Sequence, residues 1–298
     1  MTEEAHGAAE AFATARGWTH RHIETNGIRL HAVEAGAANG QPVLMLHGFP
    51  EFWFAWKDHV QPLVDAGYRV IALDQRGYNL SDRPTNNWDY RLPILRADIL
   101  GALDALGIGR VSIIAHDWGA HVAWSVAEHN PQRIRKLIVL NVGHPVVMFR
   151  NIILNPRQLV KSWYAFALQF PWIPEWLLSR NSFARLRSGM RWDGDLGPIS
   201  ASDTSAYIRA WSRDHALSTM IAWYRGLART WPTWRLPRIA VPTLLIWGKR
   251  DQFLDVQLST QSIALCEQGQ LVYLDATHWV HHEQHAQVRD HIRAFLAV

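Results

Sequence analysis

Apolar residues in this chain gather in short continuous runs, and each run is followed by turn residues. A short apolar run of this kind is typical of a strand buried on both faces of a parallel sheet. The pattern therefore predicts a set of buried strands joined by polar loops. Six such runs occur, at residues 43–46, 70–73, 111–114, 137–140, 243–247 and 271–274.

Helical spacing occupies the segments between these runs. The clearest case has Leu92, Leu95, Ile99, Leu103 and Leu106 at intervals of three or four residues, which places them on one face of a helix. Strand and helix patterns alternate along the chain. This alternation predicts an α/β fold with a doubly wound, mostly parallel sheet.

The alternation stops between residues 144 and 236, where helical, tryptophan-rich sequence replaces the strand pattern. Eight of the sixteen tryptophans lie there, from Trp163 to Trp234. We interpret this segment as a helical cap inserted between two parts of the core, residues 1–143 and 237–298. Large aromatic residues at helical spacing usually pack internally, so we expect most of these tryptophans in the core of the cap and a minority along an apolar pocket.

Composition and charge narrow the class of protein. With 298 residues, 48% of them apolar, the chain can bury one large core. The formal charge is only +4 and the basic residues are scattered, so we expect no nucleic-acid partner. The single cysteine, Cys266, excludes an internal disulfide. The start of the chain lacks the features of a secretory signal, and no apolar stretch reaches membrane-spanning length. The sequence thus predicts a cytoplasmic protein without a membrane partner, either monomer or homodimer.

A carboxylate stands just after the apolar run at residues 111–114. Ala115 and Gly119 flank Asp117 at two positions before and after it. Small residues at these positions mark a sharp strand-to-helix turn that lifts the central residue above the sheet as a nucleophile. Serine there would indicate acyl transfer. Aspartate suits attack at a saturated carbon, because water can cleave the resulting ester.

Two later strand ends supply the partners that such a nucleophile needs. Asp251 lies in the loop after the run at 243–247, and His278 lies after the run at 271–274. The carboxyl ends of parallel strands meet at one edge of the sheet, where open α/β folds keep their sites. The order of nucleophile, acid and histidine therefore predicts a catalytic triad of Asp117, Asp251 and His278.

These motifs together resemble the epoxide hydrolases of the α/β-hydrolase family, from about residue 17 to the end of the chain. The resemblance implies that family's fold, a covalent ester on the nucleophile and no cofactor. It departs at Thr277 and Asn79, where the family commonly has glycine, although asparagine tolerates left-handed backbone angles. The motifs that carry it are HGFPE at 47–51, DQRGYNLSDRP at 74–84, HDWGA at 116–120, Asp251, and His278 followed by Trp279.

The resemblance also implies residues beyond the triad. The family has two lid tyrosines that polarise the epoxide oxygen, and their contexts match those of Tyr164 and Tyr224. A phenol with a pKa of about 10 stays protonated at neutral pH and can donate to the alkoxide that forms on ring opening. The backbone N–H groups of Phe49 and Trp118 would form an oxyanion hole. Contacts with a small apolar epoxide are expected from Phe49, Trp118, Trp163 and Trp279.

The expected product of this machinery is a vicinal diol. Asp117 would open the epoxide, and His278, oriented by Asp251, would activate the water that cleaves the ester. We expect no metal site. The histidines of the tail, His281, His282 and His285, lack the His-Glu-x-x-His spacing of metalloproteases, so we interpret them as a solvated helix face.

Two alternatives remain from the sequence. A haloalkane dehalogenase also has an aspartate followed by tryptophan and the same triad order, but it usually has a polar residue at the position of Phe49 and needs no tyrosine pair. A fluoroacetate dehalogenase would carry arginine at the position of Trp118. The other alternative is a non-catalytic, ligand-binding member of the fold, against which the intact triad argues.

Overall fold

The computed structural model describes residues 7–190, 200–229 and 235–297. Its centre is a sheet of eight strands in the order β1-β2-β4-β3-β5-β6-β7-β8. Strand β2 pairs antiparallel with β1 and with β4, and all the other neighbours are parallel. The strands are β1 (Thr19–Thr25), β2 (Ile28–Ala35), β3 (Gln41–Leu46), β4 (Tyr68–Asp74), β5 (Val111–His116), β6 (Ile134–Leu140), β7 (Thr243–Gly248) and β8 (Gly269–Leu274).

All six apolar runs lie in strands, β3 to β8, which confirms the doubly wound, mostly parallel sheet. The expectation of burial on both faces is wrong for β8, because it lies at the sheet edge and most of its residues are partly or fully exposed. The antiparallel strands β1 and β2 were not predicted. Strand β1 is rich in polar residues and also lies at an edge, so it carries no continuous apolar run.

Helices cover both faces of the sheet and fill the segment between β6 and β7. The predicted helix with Leu92 and Leu103 is present, and Leu106 caps its C-terminal end. Short 3₁₀ helices lie at Trp53–Trp56, Asn87–Tyr90 and Pro131–Arg133. The α-helices are α1 (Ala8–Thr14), α2 (Lys57–Val64), α3 (Leu92–Ala105), α4 (Asp117–His129), α5 (Pro145–Leu154), α6 (Pro156–Lys161), α7 (Trp163–Ala167), α8 (Ile173–Gly189), α9 (Ala201–Trp211), α10 (Ala216–Ala228), α11 (Gln257–Ile263), α12 (Val280–Glu283) and α13 (His285–Ala297).

Helices α5 to α10 form a helical insertion, and the described part of residues 145–228 contains no strand. The expectation that most of its tryptophans are core residues is wrong for the described ones. Trp211 and Trp223 are buried, whereas Trp163, Trp172 and Trp176 are exposed. The remaining three, Trp192, Trp231 and Trp234, lie outside the described residues. Among the described helices, none is long and apolar enough to cross a bilayer.

The insertion is fastened to the core by hydrogen bonds from its buried side chains to the backbone of core loops. Trp223 Nε1 donates to the carbonyl of Arg76 at 3.0 Å, and Thr219 Oγ1 donates to that of Gly77 at 2.7 Å. On the other side, Trp211 Nε1 in α9 donates to the carbonyl of Pro50 at 2.6 Å. The loops that follow β4 and β3 therefore hold α10 and α9, respectively.

A buried ion pair stabilises the first of these loops. Arg76 donates from Nε and Nη2 to the two carboxylate oxygens of Asp98, both at 2.7 Å, and both side chains are buried. Such a bidentate pair fixes the loop in one orientation against α3. The loop can then present the carbonyls that hold the insertion.

Loss of one partner of this pair should be costly, because the other charge would stay buried and unpaired. We expect Asp98→Ala to lower the free energy of unfolding by about 3–5 kcal/mol. Urea denaturation followed by circular dichroism measures the change. The matched control is Asp104→Ala, which removes the mostly exposed partner of Arg133 and should cost at most about 1 kcal/mol. Equal losses in the two variants would contradict this account.

Candidate active site

Asp117 occupies a tight turn between β5 and α4. Its φ angle is +48°, in the left-handed region that non-glycine residues rarely adopt. Two glycines make room for this turn. A Cβ atom on Gly119 would lie 2.4 Å from the carbonyl oxygen of Leu46, and one on Gly48 would lie 2.3 Å from Cβ of Asp117. The small residues around Asp117 thus allow the strained turn that raises its carboxylate above the sheet.

The structure brings the three predicted triad residues together at the carboxyl edge of the sheet. His278 Nδ1 lies 2.7 Å from Asp251 Oδ2, and its Nε2 lies 3.5 Å from Asp117 Oδ2. The imidazole therefore sits between two carboxylates. Asp251 and His278 are almost fully buried, while the Asp117 side chain keeps some exposure.

Asp251 is held by more hydrogen bonds than the sequence indicated. The backbone N–H groups of Phe253 and Leu254 donate to its Oδ1 at 2.7 and 2.9 Å. Asn141 Nδ2 donates to its Oδ2 at 2.8 Å. Burial disfavours the charged form of Asp251, but His278 and these donors outweigh burial and lower its pKa. Asp251 is thus kept ionised beside the imidazole.

Asn141 is a site residue that the sequence analysis missed. It follows β6, accepts a hydrogen bond from the Gly248 N–H at 2.8 Å and also donates to the carbonyl of Thr277 at 3.2 Å. It thereby joins the ends of β6, β7 and β8. The available signal was its position directly after the apolar run at 137–140, at the same sheet edge as the triad.

The charges of the triad set the resting protonation of His278. Burial opposes the imidazolium, but Asp251 and Asp117 outweigh it and raise the pKa of His278 to about 10. Burial likewise opposes the charged form of Asp117, and the hydrogen bond and charge of His278 overcome this and lower the pKa of Asp117. At neutral pH the resting site therefore holds one imidazolium between two carboxylates.

The Phe49 N–H lies where the sequence analysis placed an oxyanion-hole donor. It donates to Asp117 Oδ1 at 2.7 Å. Trp118 follows Asp117 in the first turn of α4, whose N–H groups have no partner within the helix. The two carboxylate oxygens are thus distinguished, because Oδ1 meets a backbone donor and Oδ2 faces His278.

Behind the triad lies a buried cluster that corrects the interpretation of the histidine tail. His281 is buried and His282 is mostly buried, so they do not form a solvated helix face, whereas His285 is exposed. Their Nε2 atoms lie 3.2 and 2.7 Å from the carboxylate oxygens of Glu51. The chain changes direction at Gln284, between α12 and α13, which turns His281 and His282 inward.

Glu51 connects this cluster with the insertion and with the triad. Tyr207 in α9 donates to Glu51 Oε1 at 3.0 Å. His116 has its Nδ1 3.5 Å from Glu51 Oε2, and its Nε2 donates to the carbonyl of His278 at 3.0 Å. Burial disfavours the Glu51 carboxylate, but His282 and His281 outweigh burial and hold its pKa well below the usual range.

The same cluster is the place where the described residues offer ligand atoms for a metal ion. Atoms of Glu51, His281 and His282 lie within 4.8 Å of one another. Each of the three also makes a short hydrogen bond or ion pair within the cluster. We therefore interpret them as a support that holds the backbone of His278 in place.

An apolar cavity of about 460 Å³ opens above Asp117. Tyr164 of α7 and Tyr224 of α10 face it from the insertion, and Phe253 packs edge-on against both Tyr164 and His278. The cavity wall is mostly aromatic and aliphatic, which suits an apolar molecule. The predicted site residues in the lining are Phe49, Asp117, Trp163, Tyr164, Tyr224, His278 and Trp279.

The two tyrosines form a pair in the cavity. Their ring centres are 6.0 Å apart and nearly perpendicular. Burial, together with the negative charge of Asp117, raises the pKa of Tyr164 and of Tyr224. Both phenols are therefore protonated at neutral pH and available as donors.

The four aromatic residues expected to contact substrate occupy different places. Phe49 packs edge-on against Tyr224, with ring centres 5.3 Å apart. Trp279 is a buried part of the wall, and Trp163 is an exposed part of the mouth. Trp118 lies 4.8 Å from Tyr224, ring centre to ring centre. Among the described residues it does not belong to the cavity lining and instead supports Tyr224.

This fold and site define the class of protein. Residues 41–284 match the model of the alpha/beta hydrolase fold family, so the chain belongs to that family and is a hydrolase. Its curated relatives include the AB hydrolase superfamily protein YfhM of Bacillus subtilis, 41% identical, with 92% of this chain and 96% of the relative covered.

Within the family, the chain groups with epoxide hydrolases. It is 37% identical to human epoxide hydrolase 4, over 92% of this chain and 77% of the relative. Among solved structures, an epoxide hydrolase from Bacillus megaterium in complex with an inhibitor superposes with a TM-score of 0.84 at 28% identity, covering 93% of this chain and all of that one.

The charge balance of the triad yields a direct prediction. Asp117→Asn removes one of the two negative charges beside the imidazole and should lower the pKa of His278 by about one to three pH units. Titration of the imidazole nitrogens by NMR measures this value. The control Asp104→Asn, a surface change on α3, should leave the pKa of His278 at its wild-type value. An Asp117→Asn variant with an unchanged His278 would mean that Asp117 does not govern its charge.

Proposed function

We propose that this protein is an epoxide hydrolase that converts a small apolar epoxide and water into a vicinal diol through an ester on Asp117. The observation that carries the proposal is an ionised Asp117 facing two protonated phenols across an apolar cavity. Opening an epoxide needs a nucleophile at carbon and a proton donor at oxygen. The site offers both, and the proposal requires no cofactor.

In the first step Asp117 Oδ2 attacks one epoxide carbon. The bond from this carbon to the ring oxygen breaks, and Tyr164 or Tyr224 donates a hydrogen bond and then a proton to that oxygen. Oδ1 is already bound to the Phe49 N–H and becomes the carbonyl oxygen of the ester. The carboxylate loses its charge in this step.

That loss of charge prepares the second step. The His278 imidazolium is stabilised partly by Asp117, so it gives up its proton once Asp117 is neutral, and this proton restores the phenol through solvent. Neutral His278, oriented by Asp251, then takes a proton from water as the water oxygen attacks the ester carbonyl. The oxyanion on Oδ1 is stabilised by Phe49 and Trp118. Collapse of the intermediate breaks the acyl C–O bond, and His278 protonates the departing alkoxide. Asp117 is left as a carboxylic acid with one oxygen from water, and it passes its proton to the now neutral His278. This transfer restores the carboxylate and the imidazolium of the resting site.

The proposed domain division follows from these roles. Residues 144–236 would form the cap, which supplies the tyrosines and most of the cavity wall. Residues 1–143 and 237–298 would form the hydrolase core, which supplies Asp117 from the first part and Asp251 and His278 from the second. Ring opening would thus use groups from both sides of the cavity, whereas ester hydrolysis would use groups of the core.

The two steps are separable by mutation. His278→Gln leaves the nucleophile and the phenols in place but removes the base, so the ester should accumulate. Intact-protein mass spectrometry after mixing with styrene oxide should show a gain equal to the mass of the epoxide. Asp117→Asn is the matched control and should show no adduct.

The source of the oxygen provides the decisive measurement. In a single turnover of the wild-type enzyme in heavy-oxygen water, the label should enter the Asp117 carboxylate and be absent from the first diol. Label in that diol would refute the ester. A haloalkane dehalogenase would instead release halide from bromoalkanes, so halide release without diol formation would establish that alternative. Tight epoxide binding without turnover would favour a non-catalytic member of the fold.

The tyrosines should act in ring opening alone. We expect Tyr164→Phe and Tyr224→Phe each to slow formation of the ester by about 10²- to 10³-fold, the usual effect of removing one donor to a developing oxyanion. Stopped-flow measurement of single-turnover rates resolves this step. Hydrolysis of the preformed ester should change little. Tyr273→Phe, on the edge strand β8, is the control and should retain wild-type rates. Wild-type rates in both cavity variants would exclude the phenols from the reaction.

A further inference from the structure

One face of the insertion exposes an unusual number of large apolar side chains. Trp172 is 82% exposed, Trp163 68% and Trp176 58%. Soluble surfaces rarely carry contiguous apolar patches unless they bind something. We call this set the docking face: Leu159, Val160, Trp163, Phe170, Trp172, Ile173 and Trp176.

The docking face borders the cavity above Asp117. Trp163, Phe170 and Ile173 belong both to the face and to the cavity lining. Trp172 and Trp176 continue the face at the start of α8, where positions three and four apart share one side of a helix. An object that covered this face would therefore also cover the entrance.

The backbone of Trp172 supports a role for its exposure. Its φ angle is +61°, a left-handed conformation that is rare for a bulky residue and that glycine or asparagine would adopt at lower cost. The side chain is almost fully exposed, so little packing offsets this cost. The exposed ring of Trp172 is therefore accessible to a partner outside the chain.

The segment that carries the docking face has an excess of basic residues. Residues 150–190 contain six basic residues and one acidic residue, Glu175. Glu175 is already paired with Arg225 at 2.6 Å. Arg180 lies over the ring of Trp176 at 4.5 Å, and Arg157 is exposed in α6, the helix that carries Leu159. Tryptophans flanked by basic residues are typical of surfaces that enter the interface of an anionic bilayer.

We propose that the docking face binds the surface of a bilayer that contains anionic phospholipid and turns the mouth of the cavity toward it. A second copy of the chain fits less well, because a symmetric contact would bring two positively charged rims together. A bilayer supplies an apolar layer for the tryptophans and negative headgroups for the arginines. If the proposed function holds, it also supplies the medium in which apolar epoxides concentrate.

This proposal revises the expectation from the sequence that the protein has no membrane partner. That expectation rested on the lack of a membrane-spanning stretch. A face that lies on the bilayer needs only side chains gathered from several short helices. Helices α6, α7 and α8 bring these side chains together, although their spacing along the chain does not indicate it.

Co-sedimentation with vesicles tests the proposal without any measurement of catalysis. We expect the full chain to bind vesicles of phosphatidylcholine mixed with phosphatidylglycerol, and to bind much less to phosphatidylcholine alone or at high salt. The double variant Trp172→Ser/Trp176→Ser should bind at least about tenfold more weakly. Arg157→Gln should weaken binding by about fivefold. The control is Trp88→Ser, which removes a half-exposed tryptophan that lies outside the insertion. This variant should bind vesicles as the wild type does.

The altered residues are exposed, and circular dichroism with thermal unfolding verifies that each variant is folded. Equal vesicle binding by the double variant and the wild type would overturn the proposal, as would a wild type that binds no vesicles. Sedimentation velocity without lipid tests whether the docking face binds a second copy of the chain. A wild-type dimer that the double variant converts to monomer, with no vesicle binding, would assign the face to a second copy and also overturn the proposal.

Turnover is measured separately from vesicle binding. Trp172 and Trp176 are not among the described residues that line the cavity, so the double variant should turn over a water-soluble epoxide at the wild-type rate. For the wild type, the turnover rate of a lipophilic epoxide should rise when the epoxide is presented in anionic vesicles. The double variant should lose only this increase. Absence of any turnover would count against the proposed function, whereas vesicle binding decides the docking proposal alone.

Discussion

A single positive charge held between the buried carboxylate of Asp251 and the partly buried carboxylate of Asp117 is the interaction on which this site depends. Burial of ionisable groups is ordinarily costly. Here the cost is offset because His278 contacts Asp117 and Asp251 at once, and because backbone and Asn141 donors complete the shell around Asp251. The fold makes this possible by ending three parallel strands at one edge. The same balance makes the imidazole sensitive to the charge of Asp117.

The sequence predicted the parts of this arrangement that leave a local signal. Buried parallel strands require continuous apolar runs, and the tight strand-to-helix turn at Asp117 requires small neighbouring residues. Both features can therefore be recognised in the sequence. Asn141 and Glu51 were missed because their importance comes from neighbours distant in sequence. The exposure of Trp163, Trp172 and Trp176 was also unpredictable, since helical spacing shows which residues share a face but not whether another element covers it. Strand β1 was not predicted because a strand at the edge of a sheet needs no continuous apolar run.

Support for the site comes from two layers of contacts. The inner layer consists of Asn141, which ties the ends of β6, β7 and β8, and the N–H of Phe49 on Asp117. The outer layer is the cluster around Glu51, which reaches His278 through the ring of His116. Asn141, Glu51 and His116 thus help to position the imidazole although they are not among the described residues that line the cavity. This explains why His281 is buried and His282 mostly buried although their segment of the sequence is polar.

The attachment of α9 has a consequence for how molecules enter and leave. Trp211 and Tyr207 hold Pro50 and Glu51, and Phe49 lies on the same loop. If the insertion swung away as a rigid lid, it would pull that loop and break the hydrogen bond from the Phe49 N–H to Asp117 at each opening. Lys161 of α6 likewise donates to the carbonyls of Asp251 and Leu254. Passage is therefore compatible with an intact site if α7 and α8 move while α6 and α9 remain anchored. Substrate and product would then enter and leave on one side of the insertion, next to the helices that move.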